Sequence, residues 1–363
     1  MTENRIRVGV IGAGGWSRYG HLPALQLLDE FEVTAISART KASADSAAQH
    51  FGIAHVYEDP QELITDPEVD LVVVMPPTAE RVRFVKAAIE AGKDVYSEWP
   101  LSTTTADSEE LLSLAEAKGV RHVVGLQRRL GPSARYARDL VKQGYVGRVR
   151  AARISVGTDA FPPTRSERIS WTFDVSSFTN VLSIYAGHHL DTLFQIVGLP
   201  EKLTAIAANQ FPAITVEETG EQVPNSNPDE VMVVGTLDGG GLFSAQLEGG
   251  QAHPTGLQID ITGTDGVLRI TNEHAFQNPD DNTIQGVNGD QTSLATLTVP
   301  DAYRRIPQSS LDESALDVAH LYATYARDKA NNTWEAPSFK DAVRQHKLID
   351  QIVGSSADFF DQA

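Results

Sequence analysis

The sequence predicts a two-domain α/β protein, with a parallel sheet in the N-terminal domain and a large, mostly antiparallel open sheet in an α+β C-terminal domain. In the first third of the chain, short apolar segments alternate with segments of helical periodicity, which is the pattern of a parallel sheet covered by helices on both faces. After a helix predicted over 132–143, strand-like segments separated by glycine-containing turns predominate, as in antiparallel sheets. The 363 residues also exceed what one hydrophobic core usually holds.

The N-terminal strands follow from short apolar runs, and the helices follow from the periodicity between those runs. The clearest helix spans 79–91 and stops at Gly92. It leads directly into a strand over 94–98. Ligands of open α/β sheets bind at the carboxyl ends of the strands, so residues 98–100 occupy a position where a site is expected. The predicted strands are 5–11, 32–37, 54–57, 70–74, 94–98 and 121–126.

The C-terminal domain is predicted from a series of strands and the turns between them. Turn residues such as those at 238–241 separate neighbouring strands. Residues 274–310 are rich in Asn, Asp, Gln, Gly and Pro and predict a long surface excursion. Helices return over 314–329 and 339–353. The predicted strands are 148–157, 202–209, 229–237, 241–248, 256–263 and 266–271.

The composition restricts the class of protein. A formal net charge of −18 repels phosphodiester backbones, and no dense Lys/Arg run offsets it, so we expect no nucleic-acid partner. The absence of cysteine excludes disulfides and thiolate catalysis. A strand begins within about five residues of Met1, which leaves no room for a signal segment, and no apolar run approaches the ~20 residues of a membrane span. We therefore expect a cytoplasmic protein without a membrane partner.

A glycine-rich turn after the first strand predicts a dinucleotide site. Gly12 suits the tight turn, Gly14 permits close approach of a pyrophosphate to the backbone, and Gly15, Trp16 and Ser17 lead into a helix whose N-terminal amides face the phosphate charge. Ser17 occupies the third position of the G-x-G-x-x-G pattern. The alternative is an ordinary tight strand-to-helix turn.

The end of the second strand favours NADP(H) as the cofactor. NAD-selective folds place a carboxylate there against the ribose 2′-hydroxyl, but this chain has none. Ser37, Arg39, Thr40 and Lys41 instead offer hydroxyls and cations that suit a 2′-phosphate. NAD(H) remains an alternative, and so does an exposed basic turn that caps the following helix.

Several motifs resemble the glucose-fructose oxidoreductase and inositol dehydrogenase (Gfo/Idh/MocA) family. They are the glycine-rich turn and the segments 73–78, 94–101, 125–129 and 144–149. The resemblance implies a Rossmann dinucleotide-binding domain over 1–128, a substrate and oligomerisation domain over 129–335, and a C-terminal helix within 336–363 that folds back toward the Rossmann domain. It also places further residues at the cofactor, namely Pro76, Pro77, Glu98, Trp99, Pro100 and Gln127.

Trp99 stands where the family has a lysine that acts on the substrate's hydroxyl or carbonyl group. An indole cannot shuttle a proton at physiological pH. Loss of a general acid-base partner typically costs ~10² to 10⁴ in rate, which impairs hydride transfer without abolishing it. Trp99 is interpreted as a stacking surface for the nicotinamide or a sugar ring, or else as a residue that only fills space between the domains.

The second catalytic segment covers residues 180–191. The family has an Asp four residues before a His and another Asp three residues after it; here His188 and Asp191 keep the second spacing, but Ile184 stands at the first Asp position. Alignment on His189 would place Tyr185 there instead. His188 is the first candidate proton donor because histidine titrates near neutral pH, Tyr185 is the second, and Asp191 is expected to orient its neighbours. Adjacent histidines on a helix do not share one ion, so no metal site is predicted.

These observations predict an NADP(H)-dependent oxidoreductase that acts on a sugar, a polyol or another small carbonyl or hydroxyl compound. Trp99, Arg129, Trp171 and His188 are candidate substrate contacts. The alternative is a nucleotide-sensing binding protein with little turnover, since the Glu-Trp-Pro tripeptide and the segment 183–188 are similar to the fungal repressor of galactose genes. A homo-oligomer formed through the C-terminal sheet is expected, because an uncovered sheet face would expose apolar side chains.

Overall fold

The computed structural model describes residues 5–276 and 278–361 of the chain. Its strands are β1 (Ile6–Ile11), β2 (Phe31–Ser37), β3 (His55–Tyr57), β4 (Leu71–Val74), β5 (Asp94–Ser97), β6 (His122–Val124), β7 (Val149–Gly157), β8 (Thr164–Arg165), β9 (Pro200–Ala208), β10 (Ala213–Val216), β11 (Gln222–Pro224), β12 (Glu230–Leu237), β13 (Leu242–Glu248), β14 (Gly256–Gly263), β15 (Gly266–Asn272), β16 (Thr283–Asn288) and β17 (Ala295–Thr296). Its helices are α1 (Leu22–Leu27), α2 (Lys41–Phe51), α3 (Pro60–Thr65), α4 (Thr78–Glu90), α5 (Thr105–Lys118), α6 (Pro132–Lys142), α7 (Gly187–Val197), α8 (Glu313–Asn331) and α9 (Phe339–Asp361).

Short irregular helical turns connect several of these elements. Two of them, Ser17–His21 and Val181–Ala186, are π-helical. The others are 3-10 turns at Gln127–Leu130, Glu167–Thr172, Val175–Ser177 and Asp301–Tyr303. The two π-helical turns carry or adjoin predicted site residues.

The chain divides into two compact units. The first contains Met1–Leu130 and Arg305–His346, and the second contains Gly131–Arg304 and Lys347–Ala363. In the first unit the strands form a parallel sheet in the order β3-β2-β1-β4-β5-β6. Every side chain of β4 is at most 1% exposed, which explains why this strand is a continuous apolar run rather than an alternating one. The parallel N-terminal sheet predicted from the sequence is confirmed.

Helix α8 belongs to the first unit, although the predicted division placed residues 305–335 in the second domain. Tyr322 lies against the rings of Phe31 and Tyr96, and the hydroxyl of Tyr325 donates to Asp94 at 2.7 Å. The buried apolar side chains of α8 are part of the hydrophobic core that β1, β2 and α1 also line. Amphipathic periodicity shows that such a helix buries one face, but it does not identify the core that receives it.

The second unit is built on a large sheet with the strand order β17-β16-β15-β14-β7-β13-β12-β9. Neighbouring strands are antiparallel except for β7 and β13, which are parallel. The mostly antiparallel C-terminal sheet is therefore confirmed. One face contacts α7 and the π-helical turn Val181–Ala186, so this sheet supports the second catalytic segment.

The surface excursion predicted for 274–310 is wrong in part. Strand β16 pairs with β15 in antiparallel register, with Ile284 opposite Ile270, and β17 extends the sheet further. Ile284 is 1% exposed. The polar residues on either side of β16 conceal its short alternation, which becomes apparent only when the partner strand is known. A small sheet in the order β11-β10-β8 was also missed, because its strands are short and its core consists mainly of Phe173, Ile214 and Val216.

None of the helices in the described part of the chain combines the length and apolar character needed to cross a membrane.

Candidate active site

The glycine-rich turn after β1 is fixed by its own conformation and by packing. Gly12 has a φ of +114°, and its N–H donates to the carbonyl of Ser37 at 2.7 Å. A Cβ on Gly12 would lie 2.8 Å from the Cβ of Met75, so only glycine fits this position. The Arg18 guanidinium stabilises the turn by donating a hydrogen bond to the Ala13 carbonyl at 3.1 Å.

The next two glycines have no such packing requirement. Gly14 and Gly15 are exposed, and a Cβ added to either would meet no atom within 4 Å among the residues that the structure describes. Protein packing therefore does not explain why both are glycines. Close approach of a ligand to this backbone does explain it, and the turn thus fits the pyrophosphate of a dinucleotide.

Three further predicted cofactor residues carry buried polar atoms. The Oγ atoms of Ser17 and Ser37 and the Oε1 of Gln127 have no hydrogen-bond partner within residues 5–276 and 278–361. These residues are at most 3% exposed. Buried polar atoms in proteins normally have partners, so this set is suited to a polar ligand. The chemistry of these donors and acceptors fits a nucleotide.

The basic residues after β2 differ in how far they are already engaged. The Thr40 hydroxyl caps α2, and the Lys41 ammonium lies 2.9 Å from both carboxylate oxygens of Asp45. Arg39 is exposed and forms no ion pair within the described part of the chain. Arg39 can therefore bind a ligand without breaking an ion pair, whereas Lys41 would first have to leave an exposed pair, which is a weak interaction.

The Glu98 carboxylate is buried among donors from several elements of the first unit. The Tyr96 hydroxyl donates to Oε1 at 2.9 Å, and the Trp16 indole donates to Oε2 at 3.1 Å. His21 Nε2 lies 3.0 Å from Oε1, while Nδ1 of the same ring lies 2.8 Å from the Tyr322 hydroxyl. Trp16 and Glu98, both predicted at the cofactor, thus contact each other.

The charge of Glu98 is maintained by its neighbours. Burial raises the pKa of Glu98, but His21, Arg81 and the Tyr96 hydroxyl together bring that pKa below its ordinary value. Burial lowers the pKa of Arg81 to about 10, against the opposing effect of Glu98. At neutral pH the pair is therefore an ionised carboxylate beside a buried guanidinium.

Arg81 connects the loop after β4 to the tripeptide after β5. Its guanidinium donates to the Pro76 carbonyl at 3.0 and 3.2 Å, to the Glu98 carbonyl at 2.7 Å, and to the Pro100 carbonyl. Pro77 is the residue before the first turn of α4. Arg81 therefore holds in place both segments that the family resemblance places at the cofactor.

Trp99 is a packed residue of the first unit. It is 3% exposed, and its ring centroid lies 4.9 Å from that of His346. A Cβ on Gly125 would lie 3.1 Å from the Trp99 backbone nitrogen, so the chain passes closely behind the tripeptide. The Trp99–Pro100 peptide is cis. The indole provides an apolar surface and one N–H donor, but no group that transfers protons.

Tyr185 lies in an aromatic enclosure of the second unit. Asn180 caps the π-helical turn that carries it. The Thr158 hydroxyl donates to the Tyr185 hydroxyl oxygen at 3.2 Å, and the rings of Phe161 and Phe276 lie 6.1 and 4.9 Å from its ring centroid. Tyr185 is 7% exposed.

The two adjacent histidines face different partners, as expected for neighbours on a helix. The His188 ring meets Phe276 edge-on, with centroids 5.1 Å apart, whereas His189 Nε2 lies 3.1 Å from the Ala275 carbonyl. His188, His189 and Asp191 are all buried. Among the described residues, no three His, Asp or Glu side chains form a group suited to a metal ion.

The two remaining predicted substrate residues have different environments. Arg129 is buried and lies 3.1 Å from the Asp341 carboxylate, so its charge is balanced within the first unit. Burial raises the pKa of Asp341, but Arg129 and other donors bring it below the ordinary value. Trp171 is 48% exposed on the short helical turn Glu167–Thr172 of the second unit.

Several residues around Glu98, and several around Tyr185 and His188, were not identified from the sequence. Arg81 had a detectable signal, because it is buried on the same face of α4 as Val85. Phe276 had none, because it lies in a loop without periodicity. The others depend on contacts that are distant in sequence; the residues missed as site residues are His21, Arg81, Tyr96, Thr158, Phe161, Asn180, Phe276 and Tyr322.

Comparison with known sequences identifies the family. The pattern described as "Oxidoreductase family, NAD-binding Rossmann fold" (GFO_IDH_MocA) matches residues 6–126, and the pattern described as "Gal80p, C-terminal domain" matches residues 132–272. Dehydrogenase aclE of Aspergillus oryzae is 31% identical over 248 residues, which cover 65% of this chain and 68% of that protein. The chain belongs to the Gfo/Idh/MocA family.

Other members of the family differ in what they do. The galactose/lactose metabolism regulatory protein GAL80 of Saccharomyces cerevisiae is 25% identical over 75% of this chain and 68% of its own length. A structure of levoglucosan dehydrogenase in complex with NADH and levoglucosan has the same fold, with a TM-score of 0.85 and 23% identity over 98% of both chains. The family therefore contains both dehydrogenases and a regulatory protein.

Replacement of Glu98 by Gln is predicted to destabilise the protein in a pH-dependent way. Because the pKa of Glu98 is lowered in the folded state, its charge stabilises the fold above the ordinary glutamate pKa, and this contribution is lost as the pH falls through the folded-state pKa. At pH 7 we expect Glu98→Gln to lower the free energy of unfolding by about 1–3 kcal/mol, since Tyr96, Trp16 and His21 lose a charged acceptor.

Urea unfolding at pH 7 and at about pH 4 measures this difference, which should be smaller at the lower pH. The matched control is Glu32→Gln, which changes an exposed carboxylate of β2 in the same unit. A Glu98→Gln deficit that stays constant or grows toward acid pH would contradict the assignment.

Proposed function

We propose that the chain is an NADP(H)-dependent oxidoreductase that transfers hydride between the nicotinamide and a sugar, a polyol or another small carbonyl or hydroxyl compound. The observation that carries the proposal is the open glycine turn at Gly14 and Gly15, together with the unpartnered buried oxygens of Ser17, Ser37 and Gln127. A bound nicotinamide cofactor supplies or accepts the hydride. Similar proteins support the substrate class, since one relative is a dehydrogenase and one structure of the same fold holds NADH and levoglucosan.

His188 or Tyr185 handles the proton in this proposal. A carbonyl that accepts a hydride develops alkoxide character and needs a proton donor. Trp99 cannot donate this proton. His188 and Tyr185, both in the second unit, are buried beside Phe276 and are the candidate donors. The Thr158 hydroxyl donates to the Tyr185 hydroxyl oxygen and so helps to fix its position. Asp191, one helical turn from His188, orients its neighbours.

The first test follows nicotinamide absorbance with the purified protein. NADPH is assayed against aldehydes, ketones and keto-sugars, and NADP against sugars and polyols, with NAD(H) in parallel. If His188 is the proton donor, we expect His188→Ala to lower the turnover rate by about 10²- to 10⁴-fold. If Tyr185 is the donor, Tyr185→Phe should have this effect instead. His253→Ala, which changes an exposed histidine of the same unit, is the control. An unchanged rate in both variants would refute the assignment of the proton donor.

The preference for NADP(H) rests on Arg39. No carboxylate follows β2, Lys41 is paired with Asp45, and Arg39 can bind a 2′-phosphate without breaking an ion pair. An arginine fork can bind phosphate through two charge-assisted hydrogen bonds. The exposed position of Arg39 is consistent with a group that acquires its partner from the ligand.

Replacement of Arg39 by Ala is predicted to weaken NADPH binding by about 10- to 100-fold and NADH binding by less than about 2-fold, because only NADPH loses a charge-assisted contact. Arg83→Ala, which changes an exposed arginine of α4 in the same unit, is the matched control and should change both affinities little. Calorimetric or fluorescence titration with each cofactor measures the four affinities. Wild-type protein that binds NADH more tightly than NADPH would overturn the cofactor preference.

A second candidate function is a nucleotide-sensing binding protein with little or no turnover. Two observations favour it. Trp99 replaces the family's lysine with a buried indole, and residues 132–272 match the C-terminal domain pattern named after Gal80p. Tight NADP(H) binding without turnover across the whole substrate panel supports this function over the enzyme.

Self-association through the large sheet is part of the proposal. On β12, Val231 and Val233 are buried, whereas the alternating residues Met232 and Val234 are 47% and 49% exposed. Leu242 on the neighbouring strand β13 is 59% exposed. An apolar stripe on the open face of a sheet is typical of an interface. A second copy of the chain would bury it.

The double variant Val234→Glu/Leu242→Glu is predicted to convert an oligomer to a monomer, because each carboxylate would have to be buried without a partner. Light scattering coupled to gel filtration gives the mass. The control is Val175→Glu, since Val175 is 44% exposed but belongs to the short helical turn Val175–Ser177 and not to a strand of the sheet. Monomeric wild-type protein at micromolar concentration would contradict the interface.

A further inference from the structure

Phe276 contacts all three aromatic polar side chains of the second catalytic segment. Its ring centroid lies 4.9 Å from that of Tyr185, 5.1 Å from that of His188 and 6.1 Å from that of His189. It belongs to the loop between β15 and β16. An aromatic ring in this position covers the candidate proton donors with apolar surface.

His189 holds the middle of that loop. Its Nε2 lies 3.1 Å from the carbonyl of Ala275, the residue immediately before Phe276. A carbonyl oxygen only accepts hydrogen bonds, so Nε2 carries the hydrogen and donates it. His189 is 2% exposed. With Nε2 committed to a backbone carbonyl, this nitrogen is not available to exchange a proton with a substrate.

Two asparagines hold the ends of the loop through contacts that do not involve His189. The Asn272 side chain donates to the Asp280 carbonyl at 3.1 Å and accepts from the His274 N–H at 2.9 Å. The Asn282 side chain donates to the Ser133 hydroxyl at 2.9 Å. These contacts fix where the loop begins and ends, whereas the contact from His189 lies next to Phe276 itself.

We propose that His189 is a positioning residue that sets Phe276 across Tyr185 and His188 by donating to the Ala275 carbonyl. The inference rests on the proposed function, in which Tyr185 or His188 handles the proton. The adjacent histidines then have separate roles: His188 faces Phe276 beside the reacting group, and His189 anchors the loop that covers it. Phe276 excludes water from the donor and keeps its geometry constant, and both effects act on the chemical step.

The test compares two replacements of His189. In Gln, the amide nitrogen occupies nearly the same place as Nε2 and donates a hydrogen bond, but it cannot transfer a proton; Leu removes the donor. We expect His189→Leu to lower kcat on the order of 100-fold with KM for NADPH little changed, and His189→Gln to restore most of the rate. If His189 were itself the proton donor, Gln and Leu would be equally inactive, and the proposal would fail.

Phe276→Ala provides an independent variant that leaves the buried histidine in place. It should reproduce the kinetic defect of His189→Leu, and the double variant should be no slower than either single one, because both act through the same contact. If the two replacements lower kcat additively in the double variant, His189 and Phe276 do not act through the same contact, and the proposal is refuted. Thermal unfolding of every variant shows whether the fold is retained.

Amide hydrogen exchange at His274, Ala275 and Phe276 tests the anchor without relying on turnover. Exchange at these residues should be faster in His189→Leu than in wild-type protein, and close to wild type in His189→Gln. Unchanged exchange in His189→Leu overturns the proposal whether or not the protein is an enzyme. Absence of turnover in the wild type refutes the proposed function alone, and the exchange result still decides the role of His189.

Discussion

The buried carboxylate of Glu98 is the constraint on which the first unit depends. A charge in this position is stable only if donors and a counter-charge surround it. Tyr96 from the same strand, Trp16 from the glycine turn, His21 from the helical turn that follows, and the guanidinium of Arg81 from α4 provide them. Elements far apart in the sequence are thereby brought to the carboxyl end of β5.

In the second unit, the candidate proton donors lie among aromatic rings. Tyr185 lies near Phe161 and Phe276, and His188 meets Phe276 edge-on. Such surroundings exclude water and keep a donor in a defined orientation. The first unit therefore has a polar, glycine-containing turn that fits a nucleotide, and the second has an aromatic enclosure around the candidate proton donors.

Much of the architecture was predictable because it follows from local patterns. The parallel strands are continuous apolar runs, as buried strands must be, and the hairpin strands of the large sheet are separated by turn residues. The failures occurred where the local signal was weak. Strand β16 has polar flanks, the strands of the small sheet are short, and α8 joins a core formed by the other end of the chain.

Positions that local backbone chemistry dictates can be read directly from the amino-acid order. Gly12 has a left-handed φ that only glycine adopts easily, and the absence of a carboxylate after β2 is visible without any structure. Only the tertiary structure decided which side chains are engaged. It brought His21 and Trp16 to the Glu98 carboxylate, and it directed His189 to a loop carbonyl. Hydrogen bonds and burial depend on atoms that folding brings together from distant residues, so no local pattern encodes them.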